Sequence, residues 1–193
     1  KTKKKRGKNM LHVLVYCLSA HFSDKELNFL KKILNNKTQG FGQYIQFSVH
    51  TSKTKPLRTT IETCIHHRCI VLFKLSPSRI KRLYPDEKEI HGMSFTTLHT
   101  DPTFIVMNTK NWNSPPSSFT LSRDKYRTYL INHEFGHALG LHSHQSRTKS
   151  NCPLMYQQTR GTIGCSRIDL YPTTDQVASV VRFVQQLPLR NAK

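Results

Sequence analysis

The chain has 193 residues, 36% of them hydrophobic, with 30 Lys+Arg against 11 Asp+Glu and a formal net charge of +19. That length suits one domain with a sizeable core, or two lobes sharing a cleft. No repeat and no apolar run long enough to cross a bilayer is present, which argues against a solenoid and a membrane-spanning role. The charge favours polyanions, acidic proteins or anionic surfaces as partners and disfavours basic substrates.

The first residues, Lys1, Lys3, Lys4, Lys5, Arg6 and Lys8, form a basic run with no apolar partner, expected to be a disordered tail over residues 1–9. It reads either as a solvated tail or as a nuclear address or polyanion-binding arm. With residues 10–20 it mimics a signal peptide. Leu11-His12-Val13-Leu14-Val15-Tyr16-Cys17-Leu18 is rich in strand formers, however, and predicts a first strand instead. Ser23 and Glu26 make a capping box for a helix over residues 24 to about 35, with Leu27, Phe29, Leu30, Ile33 and Leu34 as its apolar face.

Alternation predicts a half-buried strand over residues 44–49, and apolar runs predict two more over residues 69–75 and 104–108. Between residues 77 and 102 the pattern is irregular, with a short helix at 78–84 and a loop through Gly92. A helix begins after Ser122, an N-cap, with Asp124 suited to its positive end, and Gly140 stops it. Val177, Val180, Val181, Val184 and Leu187 fall at helical spacing over residues 174–187, a last helix expected beneath the segment around Met155.

The chemistry concentrates in His133-Glu134-Phe135-Gly136-His137. Histidines at i and i+4 project from one helix face and reach a single zinc ion, and the carboxylate between them suits a general base acting on water attacking a carbonyl. The same chemistry serves a peptidase or an amidase acting on a non-protein amide. Of five cysteines, Cys64 and Cys69 enclose Ile65-His66-His67-Arg68, either a disulfide-closed hairpin tip or a second metal site. Cys17, in its strand, is either buried or reactive.

The stretch from His133 to Leu141 resembles the metzincin zinc-protease motif HExxHxxGxxH in its matrixin-like form, and Pro153-Leu154-Met155-Tyr156 is similar to the methionine turn of that clan. The chain also resembles a metzincin-like family of exported actinobacterial proteins of unknown function. The matching pieces are Ile105-Val106-Met107-Asn108 leading to Trp112, Tyr126 to Gly140, Met155-Tyr156-Gln157-Gln158-Thr159, and Gly164-Cys165. The small protease snapalysin is similar too, and from it a Cys152–Cys165 disulfide bracketing Met155 is implied.

One departure matters: the third metal position of the motif falls on Ser143, a poor ligand, flanked by His142 and His144. His144 is favoured, through a turn one residue longer, with His142 as the alternative.

The resemblance implies an α+β, metzincin-like zincin: a twisted, mostly parallel sheet with two long helices in an upper lobe (residues 10–140), and a small C-terminal lobe (residues 141–193) ending in a helix. The implied function is a zinc-dependent endopeptidase, expected to be monomeric and to act on peptide or protein substrates, acidic ones included. Glu134 is then the catalytic base, His133, His137 and His144 the zinc ligands, and Met155 the apolar floor. Tyr156 either supports the oxyanion or packs. The competing reading is a basic polyanion- or nucleic-acid-binding module with a structural or vestigial zinc site. Disulfides at both cysteine pairs would favour an extracellular or otherwise oxidising compartment.

Overall fold

The computed structural model describes residues 10–18, 21–52, 69–98 and 100–187. The basic tail and Cys64 lie outside the described residues, and with them the tail reading and half of the expected Cys64–Cys69 pairing.

A five-stranded sheet organises the molecule, with β1 (Leu11–Leu18), β2 (Ile45–Ser52), β3 (Cys69–Leu75), β4 (Phe95–Thr96) and β5 (Thr103–Asn108) in the order β2-β1-β3-β5-β4. Four strands run parallel and β4 pairs antiparallel with β5, so the expected α+β, mostly parallel sheet is present. In β1 the residues Val13, Val15 and Cys17 alternate into the core, as the period-2 rule requires. The signal-like segment is therefore a central strand.

Helix α1 (Asp24–Leu34) crosses between β1 and β2, capped reciprocally by Ser23 and Glu26, with Leu27, Leu30, Ile33 and Leu34 buried and Phe29 only half-buried. Helix α2 (Pro77–Leu83) starts with Ser76 as N-cap and proline in its first turn, where a missing N–H costs nothing. The segment read as irregular contains β4, and a short helix α3 (Thr109–Asn113) follows β5 and buries Trp112. Neither has the length to print a periodicity.

The long helix α4 (Arg123–Ala138) packs on the sheet, and its residues from Thr128 to His137 are all buried. A minor pair, β6 (Asn151–Cys152) and β7 (Arg167–Ile168), and helix α5 (Thr174–Gln186) complete the chain. Leu154, Met155, Val177, Val180 and Val184 join the same core cluster as the sheet and α4. The Cys152–Cys165 disulfide implied by the resemblance is present, and Cys17 is a buried free thiol whose pKa burial pushes up to about 12. Among the described residues no helix is long and apolar enough to cross a membrane.

Candidate metal centre

The C-terminal half of α4 carries His133, Glu134 and His137, and the way the helix ends brings a third histidine to them. Gly140 adopts φ +101°, and the N–H groups of Leu141 and Gly140 donate to the carbonyls of Gly136 (2.8 Å) and His137 (3.1 Å), the paired bonds of a Schellman stop. Any side chain at position 140 would also meet the Phe183 ring, with a Cβ 2.5 Å from Cγ. The reversed chain is then held by the Gln145 N–H donating to the Met155 carbonyl at 3.0 Å, and by the Gln176 amide donating to the Gln145 side chain at 3.1 Å.

These anchors place His144 over the helix. One nitrogen each from His133, His137 and His144 lies within 4.8 Å of the others, and the Nε2 atoms of His137 and His144 are 3.2 Å apart. The second distance is near the ~3.3 Å expected between two ligand nitrogens about 2.0–2.1 Å from a tetrahedral zinc. The structure thus brings together both helix histidines and His144. His142 lines the same cavity but is not in the cluster, its ring lying edge-on to Phe183 at 5.7 Å. Ser143 is exposed.

The tautomers follow from the partners. Nδ1 of His133 faces the Leu154 carbonyl and Nδ1 of His137 the Leu141 carbonyl, each at 2.8 Å. A carbonyl oxygen only accepts, so each Nδ1 carries the proton and each Nε2 presents a bare lone pair. This main-chain support is the usual outer shell of a metal-binding histidine.

Burial and the charge of His137 hold the His133 pKa down at about 3, and burial with the charge of His144 holds His137 at about 4. Burial and the nearby Arg160 lower His144 as well. All three are therefore neutral imidazoles near pH 7. Three neutral nitrogen donors of this kind fit a divalent ion of intermediate softness, zinc included.

Met155 is 1% exposed, in a turn closed by the Tyr156 N–H donating to the Pro153 carbonyl at 3.0 Å. Its thioether lies against the backbone of Gly136, where an added Cβ would sit 2.9 Å from Sδ. Glycine at position 136 thus lets the methionine pack directly on the helix between His133 and His137. Tyr129, one turn before His133, rests its ring 5.2 Å from that imidazole. Its hydroxyl donates to the Tyr156 carbonyl and accepts from the Gln158 N–H, and burial first, then the Glu134 charge, raises its pKa well above the ordinary value. Only the backbone of Tyr156 enters this arrangement, and its side chain does not line the cavity.

Glu134 is 2% exposed, and burial raises its pKa to about 7 against the opposing hydrogen bond from Thr96. It opens, with the three histidines, onto a cavity of about 170 Å³ otherwise lined mainly by uncharged residues, among them Ile90, Met93, Phe95 and Thr159. Sequence reasoning missed Ile90, Met93, Phe95 and Thr96. They come from a segment without periodicity, held in place by Asn108 and Asn111, whose amides donate to the carbonyls of His91 (3.5 Å) and Gly92 (2.7 Å).

Residues 75–179, more than half of the chain, match the family described as "Protein of unknown function (DUF3152)". The chain belongs to that family. No curated protein matches it. The DUF3152 match runs from the end of β3 into α5, and so contains every residue of the histidine cluster, Glu134, Met155 and the wall segment of the cavity.

Proposed function

We propose that this DUF3152 protein is a zinc-dependent endopeptidase. The observation that carries the reading is the orientation of the two helix imidazoles, whose Nδ1 protons are spent on main-chain carbonyls so that the Nε2 lone pairs share the cavity with His144 and a buried carboxylate. A purely structural zinc site has no use for that carboxylate.

Zinc held by His133, His137 and His144 would supply Lewis acidity, polarising a substrate carbonyl and making water acidic enough to attack it near neutral pH. Glu134, with a pKa near 7, is poised to accept the proton released in that attack and to return it to the leaving nitrogen. Met155 packs on α4 at Gly136 and Tyr129 packs beside the His133 ring, which supports the histidine-bearing face of the helix. The apolar cavity walls suit an uncharged side chain of a polypeptide, and β4, at the sheet margin beside the cavity, offers an open strand edge to an extended chain. The Cys152–Cys165 disulfide is compatible with an oxidising compartment, where such an enzyme would work on extracellular protein.

Elemental analysis of protein purified without added metal is the first test, comparing wild type with His142→Ala and His144→Ala. Near-stoichiometric zinc in wild type and His142→Ala, lost in His144→Ala, is the expected outcome, and absence of zinc from all three would sink the reading. Glu134→Gln is expected to keep its zinc and lose hydrolysis of fluorescein-labelled casein by at least ~100-fold.

A second reading, polyanion binding, is favoured by one surface groove in which Lys25, Lys32, Arg123 and Arg127 outnumber the carboxylates of Glu26 and Asp124. Among the described residues none of these four forms a salt bridge. If the groove binds polyanion, replacing all four with Gln flattens the salt dependence of heparin binding more than replacing four basic residues elsewhere, such as Lys81, Arg82, Lys88 and Lys110.

A further inference from the structure

A side chain from the sheet margin is hydrogen-bonded to Glu134. Thr96, the second residue of β4, places its hydroxyl 2.7 Å from Oε2 of Glu134 and 3.1 Å from the Glu134 carbonyl oxygen. The carboxylate is the closer acceptor and the charged one, so the hydroxyl donates there. Among the described residues the other oxygen, Oε1, accepts no hydrogen bond, and the sealed side-chain atoms without a partner are His21 Nδ1, Asn151 Oδ1 and Gln158 Oε1, not Glu134 Oε1. Oε1 therefore keeps access to the cavity that Glu134 lines.

The placement of Thr96 is built in. Two-residue strands seldom hold a side chain in register, but β4 is tied at both ends by hydroxyls: Ser94 Oγ and Thr97 Oγ1 accept the N–H groups of Asn108 and Phe104, each at 2.9 Å. Alternation then sends Phe95 against the Tyr84 ring, 5.1 Å away, and Thr96 toward α4.

We propose that Thr96 is the positioning residue of the general base: its hydroxyl clamps Oε2 of Glu134, fixes the carboxylate rotamer and leaves Oε1 as the oxygen that handles the proton. The proposal rests on the peptidase reading above. It also ties base geometry to the strand at the cleft margin, so that a substrate chain lying along β4 acts on the same strand that holds the base.

The test uses the full chain loaded with zinc, with fluorescein-labelled casein as probe, in wild type, Thr96→Val, Thr96→Ser, Glu134→Gln and the Thr96→Val/Glu134→Gln double variant. Valine keeps the shape and removes the hydroxyl, and serine keeps the hydroxyl. We expect Thr96→Val to hold its full zinc complement and a KM within about twofold, and to lose kcat by about 10- to 100-fold. Serine should recover kcat to within about threefold of wild type.

Independently of turnover, the thermal shifts of Thr96→Val and Glu134→Gln should fail to add in the double variant by about 2–4 °C. An undiminished kcat in Thr96→Val, a serine variant as impaired as the valine one, or additive thermal shifts would each overturn the proposal while an active wild type leaves the peptidase reading standing. A wild type no more active than Glu134→Gln overturns both.

Discussion

Two glycines of α4 and its stop show how narrowly the site is fitted, and they are needed for different reasons. At Gly136 an added methyl meets the flexible tip of Met155, which must shift, whereas at Gly140 it meets the rigid Phe183 ring at a φ of +101° that L-residues avoid. Gly136→Ala should therefore cost about 1–3 kcal/mol and Gly140→Ala more, as measured by urea unfolding. Gly136→Ala should weaken zinc retention disproportionately, because the displaced thioether lies between the ligand positions. At this scale the pair His133 and His137 was legible, since helical spacing alone puts them on one face. The choice between His144 and His142 was open in the sequence, with His144 favoured through a longer turn. It depends on how many residues the helix stop consumes and on the bond from the Gln145 N–H to the Met155 carbonyl, a contact between segments that no local pattern records. Thr96 was equally hidden, 38 residues from its partner and on a strand too short to be read.

On the face of the sheet that α1 and α4 cover, four elements meet around Glu26. Lys74 of β3 donates to both its carboxylate oxygens, at 2.8 and 3.0 Å, the Trp112 indole N–H of α3 donates to Oε1, and the Ser23 N–H closes the α1 cap. The Arg127 side chain of α4 completes the junction, donating to the Trp112 carbonyl at 2.9 Å with its guanidinium 4.7 Å from the indole centroid. Burial works to raise the Glu26 pKa, but the Lys74, Ser23 and Trp112 hydrogen bonds outweigh it and bring it down from 4.5 to about 2.

A carboxylate whose pKa falls on folding contributes stability that is complete above its ordinary value and fades as pH drops toward the folded one. The thermal midpoint should accordingly decline between about pH 5 and pH 2, and Glu26→Gln should show a shallower decline across that window. Trp112 is the single tryptophan, so its fluorescence reports the same transition. Of this junction the sequence displayed only the Ser23–Glu26 capping box, because that contact is local. Lys74 and Trp112 reach Glu26 across 48 and 86 residues.

For the whole molecule, the disulfide and the chain reversal after α4 make one unit. Cys152 and Cys165 are 13 residues apart and enclose the turn at Met155, Thr159 of the cavity wall and the carbonyls that receive Gln145 and His133. On the chain-entropy model, closing a loop of that size is worth about 3 kcal/mol. Cys152→Ser/Cys165→Ser should therefore lower the thermal midpoint by about 6–12 °C and release zinc at lower chelator concentration than wild type. The individual strands and the site helix could be anticipated from strand-rich runs and cap signals, whereas the mostly parallel sheet was implied by the resemblance. The disulfide was expected only through resemblance, since spacing alone does not pair five cysteines.

The atoms that aim His133 and His137 are the carbonyl oxygens of Leu154 and Leu141, and a carbonyl is common to every residue type. No point substitution at 141 or 154 deletes them, so the aim of the rings does not depend on the leucine side chains, which serve the core instead. The vulnerability is transferred to chain length: inserting or deleting one residue between Gly140 and the Gln145 anchor should displace His144 or the Leu141 carbonyl, whereas the exposed residues 146–150 have room to absorb the change.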